Sequence, residues 1–60
     1  MIEATIYTEK HRARTLARRV IDQYQISEPK IDKEEDELII TGICANYGLK
    51  TAEIRIEETG

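Results

Sequence analysis

The side chains able to do chemistry are an imidazole, a thiol, a block of carboxylates and a cluster of guanidinium groups. His11 and Cys44 are each the only residue of their kind. A thiolate nucleophile would need the imidazole within hydrogen-bond reach as its base. His11 has no cysteine or serine near it in sequence and is read as a surface residue of a helix's first turn. Cys44 falls on the inward face of a hairpin, where a free cysteine behaves as a small hydrophobe. Glu34, Glu35, Asp36 and Glu37 invite a metal or acid–base reading. Consecutive residues of an extended chain point to alternate faces, and a calcium loop needs a longer ligand series around a glycine. The block is read as a solvated turn, with an acidic contact surface as the alternative. No Cys/His spacing suits structural zinc. No catalytic, metal or cofactor-binding residue is assigned, and a non-enzymatic protein is expected.

The basic residues are the more informative set. Lys10, Arg12, Arg14, Arg18 and Arg19 crowd into one short stretch. Such a patch can grip phosphates in a salt-dependent, sequence-independent way. It can equally solvate a helix face or meet an acidic protein. Residues 1–25 hold five basic and three acidic side chains, a net +2, whereas residues 26–60 hold four and nine, a net −5. The acidic half would repel a nucleic-acid backbone at close range. Only Tyr7 and Tyr47 could offer exposed rings for base stacking. A protein partner is therefore preferred, contacted by Arg12, Arg14, Arg18, Arg19 and Tyr47. Tyr47 is included because it sits at a turn tip and tyrosine is enriched at interfaces.

These groups must be carried on secondary structure. Ala13, Leu16, Ala17, Val20, Ile21 and Tyr24 recur at intervals of three and four. That spacing predicts an amphipathic helix over residues 9–25, capped by Thr8 and stopped by Pro29. Before it, Ile2, Ala4 and Ile6 alternate with Glu3, Thr5 and Tyr7 as in a half-buried strand. Residues 30–37 are charged at every position but Ile31. They are a solvated loop or a short edge strand turning at residues 33–36, and the loop is preferred because charged residues are poor strand formers.

Residues 38–45 and 49–57 predict a hairpin joined at Ala45-Asn46-Tyr47-Gly48. A type I turn ending in a left-handed glycine makes a three-residue loop with a bulge. Counting outward sets Ala45 against Leu49, Gly42 against Ala52, Ile40 against Ile54 and Leu38 against Ile56. A slip of one residue would scatter the apolar set over both faces. Gly42 opposite Ala52 leaves a shallow spot for close approach of the helix. Ile39 and Ile43 point the other way, and a strand apolar on both faces is usually covered on both. They are the expected subunit interface.

The chain has 60 residues, a formal net charge of −3, no Trp and no Phe. One domain spanning residues 1–60 follows, of α+β class: strand, helix, then two or three strands, with the helix packed on an antiparallel sheet. The β-α-β-β order resembles that of the dodecins, small flavin-storing shells. No tryptophan is present to stack on an isoalloxazine ring, so the resemblance implies topology alone. At this size folding buries only about 60% of the unfolded chain's surface, and small chains add disulfides, metals or subunits. A lone cysteine excludes an internal disulfide, so a homo-oligomer, most simply a dimer, is expected. No apolar run approaches the ~20 residues of a membrane span and no signal peptide is recognised. A cytoplasmic protein without a membrane partner is expected, the free thiol agreeing with a reducing compartment. The preferred function is a small protein-binding module, an inhibitor or adaptor of the kind phages and mobile elements encode. The alternative is a nucleic-acid-binding module using the arginine-rich helix.

Overall fold

The structure, a computed structural model, describes residues 1–59. Its centre is the hairpin of β3 (Glu37–Cys44) and β4 (Lys50–Thr59). The register pairs Leu38 with Ile56, Ile40 with Ile54 and Gly42 with Ala52, as turn and pattern together require. The ladder closes at Cys44 opposite Lys50, so the connection takes in Ala45 and Leu49 as well. A 3-10 turn at Ala45–Tyr47 leads into Gly48 and Leu49, both at positive φ.

Helix α1 (Ala13–Gln23) lies across the inner face of this hairpin. Ala13, Ala17 and Val20 pack against Leu38, Ile40, Ile54 and Ile56, with Ile26 closing the cluster. Ile40 and Ile56 are fully buried, and each such side chain contributes about 1.5–3 kcal/mol by leaving water. The helix is shorter than its sequence pattern allowed, for identifiable reasons. Residues 9–12 contain nothing apolar to bury: Glu9 ends strand β1 (Ile2–Glu9), and Lys10 and His11 form the turn into the helix. Thr8 therefore pairs with Glu58 in the sheet and caps nothing. The chain turns through His11 at φ 68°, and Arg12 occupies the N-cap without a side-chain hydrogen bond. At the other end Gln25, at φ 50°, ends the helix in a left-handed turn. Pro29 comes too late to be the stop.

Pro29 belongs instead to β2 (Ile26–Lys33), so residues 30–33 of the segment preferred as a loop are an edge strand, and only residues 34–36 are the turn. It pairs antiparallel with β3 through a bulge between Ser27 and Lys30, where Glu28 has φ 51°. A proline is tolerated in a sheet at such an edge. The strand order is β1-β4-β3-β2, and β1 runs parallel to β4. The sheet is thus mixed, and antiparallel only across β2, β3 and β4. The extra strand is the cause. Inserting β2 between helix and hairpin adds one reversal of chain direction, which turns β4 parallel to β1. It also extends the topology beyond the β-α-β-β order.

The hairpin loop is tied to the end of α1. Ala45 N–H donates to Gln25 O (3.3 Å) and Asn46 Nδ2 donates to Gln23 O (3.1 Å). The Asn46 bond engages a carbonyl of the last helical turn, which has no partner within the helix. Among the described residues no helix is long and apolar enough to cross a membrane.

Candidate functional site

Arg14 and Arg18 are one helical turn apart, so both project from the flank of α1 that faces β2. The opposing wall is β2, whose register sets Ile31 beside Ile40 and Lys33 beside Leu38 on the helix side of the sheet. Leu38 forms the floor. The result is a groove of about 390 Å³ with three cations at its rim and Ile31, 48% exposed, within it. Toward the helix N-terminus it opens into a wider hollow where Lys10, His11 and Lys33 face Glu35, Asp36 and Glu58.

Hydrogen bonds from backbone N–H groups hold that end in place. His11 N–H donates to Glu58 Oε2 (2.9 Å), Glu34 N–H to Glu37 O (2.9 Å) and Glu58 N–H to Asp36 O (2.8 Å). The electrostatics are lopsided. Among the described residues both ion pairs belong to Arg55, which reaches Glu37 (3.2 Å) and Glu53 (3.6 Å) on the other face of the sheet. Among the described residues, Arg14, Arg18 and Lys33 have no carboxylate within 4 Å. Comparison with protein-family models, curated proteins and solved structures finds no match.

The expected contact residues do not form one surface. Arg14 and Arg18 share the groove, whereas Arg12 and Arg19 do not line it. Tyr47 is elsewhere again. Its ring stands 6.4 Å from that of Tyr24 at 31°, at the C-terminal end of α1. Both rings border a second groove of about 190 Å³ beside Ile2, Ala4 and Ile6 of β1. Ile39 and Ile43 are half-buried on the outer face of the sheet. Ile39 sits in a row between Asp32 and Arg55, and Ile43 between Ser27 and Thr51.

Cys44 is 2% exposed and its thiol donates to Tyr24 O (3.1 Å). His11 is near the Glu37 end of β3 and Cys44 is at the other end. At about 3.3 Å per residue that separates them by roughly 20 Å, too far for direct proton transfer. Among the described residues no group of three or more His, Cys, Asp or Glu side chains could share a metal ion. What the α1–β2 groove can do is hold an anionic group against Arg14, Arg18 and Lys33 while an apolar side chain rests on Ile31. Sequence reasoning missed Ile31 and Lys33. Their alternation with Asp32 was the available signal, and it has meaning only once the segment is a strand.

Proposed function

We propose that this protein is a non-enzymatic protein-binding module acting as a homo-oligomer, most simply a dimer, and that its partner presents an acidic, partly apolar segment to the α1–β2 groove. One observation carries the reading: Arg14, Arg18 and Lys33 form no ion pair among the described residues and stand around exposed Ile31. A partner's carboxylates would gain charge-assisted hydrogen bonds there without displacing an existing pair. Its apolar side chain would remove Ile31 from water. The setting that suits so small a chain is cytoplasmic, as an inhibitor or adaptor of the kind phages and mobile elements encode.

The test is isolation from the native host of the wild-type chain and of Arg14→Glu/Arg18→Glu. One protein with an acidic segment should accompany the wild type in fixed stoichiometry and be absent from the variant. Its equal recovery with both chains contradicts the reading.

The lack of ion pairs along α1 among the described residues also favours a second reading, in which the same arginines bind nucleic acid. That reading requires affinity falling by several powers of ten between low and moderate salt for six or more phosphate contacts. The acidic end of the groove, with Glu35, Asp36 and Glu58, opposes it. Duplex and single-stranded DNA titrated at two salt concentrations decide: absent or salt-insensitive binding removes nucleic acid as the partner.

A further inference from the structure

The two edges of the sheet are unequally protected. An edge strand offers unpaired N–H and C=O groups to any other strand, and proteins block it with bulges, prolines and charge. Edge β2 has all three: Pro29, the bulge at Ser27 to Lys30, and Lys30, Asp32 and Lys33. Edge β1 has none. It pairs with β4 without interruption from Ile2 to Glu9 and contains no proline, glycine or lysine. On the helix side it presents Ile2, Ala4 and Ile6 to the apolar groove bordered by Tyr24 and Tyr47. The helix covers β3 and β4 but leaves Ala4 exposed and Ile2 and Ile6 half-exposed.

We infer that β1 pairs antiparallel with β1 of a second copy, joining two four-stranded sheets into one, with both helices on the same side. This rests on the homo-oligomer reading above and names its contact. A two-fold axis makes the contact self-complementary, and charge and pattern select the register. With Ala4 on the axis, Ile2 of one copy lies opposite Ile6 of the other and Glu3 lies opposite Thr5. A slip by one residue sets isoleucine against polar residues. Other registers that keep the apolar face together are worse: one opposes Glu3 to Glu3, a second opposes Glu3 to Glu9, and a third leaves Ile2 against Thr8. Like charges directly opposite are destabilising. The expected contact through Ile39 and Ile43 compares poorly, because that face also carries Glu3, Glu53 and Glu57 and would set acidic surfaces against each other.

The test uses the full chain and measures mass in solution by light scattering and native mass spectrometry. The wild type should be a dimer. Ala4→Lys, a change at an exposed position, should shift it to monomer mass with an unchanged circular dichroism spectrum. Ile39→Lys/Ile43→Lys should leave it dimeric. Ala4→Cys should form an intermolecular disulfide under mild oxidation, while Thr15→Cys on the exposed face of α1 should not. A dimer that survives Ala4→Lys, or one whose Ala4→Cys form does not cross-link, overturns the β1 contact and leaves the homo-oligomer standing. A wild type that is monomeric at every concentration overturns both.

Discussion

Ile26 fills the space over Gly42. A Cβ at Gly42 would run into Ile26 Cγ2 and stand 2.9 Å from the Ser27 carbonyl oxygen. The shallow spot opposite Ala52 is therefore occupied by the start of β2 and its bulge, and not by the helix. Because one of the two obstacles is backbone, a side-chain rotation cannot relieve the clash. Gly42→Ala should cost about 1–3 kcal/mol as overpacking. Urea unfolding followed by circular dichroism measures it, and an unchanged midpoint would mean that β2 moves freely away from β3.

Asn46 links the hairpin loop to the helix through Gln23 O. Asn46→Ala should lower stability by about 0.5–1.5 kcal/mol, the net worth of one such hydrogen bond. The same unfolding experiment reports it. A loss well above that range would show that the whole loop, with Tyr47 on Tyr24, detaches together.

Cys44 should be inert in the folded protein. With 2% exposure and its thiol bonded to Tyr24 O, it is closed to reagents. Labelling by an aromatic disulfide should be slow in buffer and should accelerate with denaturant along the unfolding curve. Full labelling within the mixing time in buffer would contradict the packing of α1 over β3.

Arg14 and Arg18 should contribute to recognition and little to folding. Neither has an acidic partner within 4 Å among the described residues, so reversing their charge breaks no ion pair there. Arg14→Glu/Arg18→Glu should stay within about 0.5 kcal/mol per site of the wild type, as for surface changes generally. A large loss of stability would assign both residues to the fold.

The parts of the fold legible in the sequence are those where two signals agree. The β3–β4 register follows from the Asn46-Tyr47-Gly48 turn and the apolar alternation, and either alone would leave it loose. The body of α1 follows from the Ala13 to Tyr24 stripe, but its start does not. Thr8 is as good a strand residue as a cap, and β4 decides the matter by pairing with it. Strand β2 was obscured by its charges, because Lys30, Asp32 and Lys33 pair well at an edge while giving no hydrophobic pattern. That single element carries the mixed sheet, the packing over Gly42 and the second wall of the groove. The candidate site was therefore half legible: Arg14 and Arg18 stood out by charge, whereas Ile31 and Lys33 join them only through the pairing of β2 with β3.

Native mass spectrometry of the protein gently purified from its own host tests the central claim most directly, because it reports stoichiometry and passenger together. A homodimer carrying a second, acidic protein is the predicted result. A monomer carrying nucleic acid would contradict both the self-association and the protein-binding function.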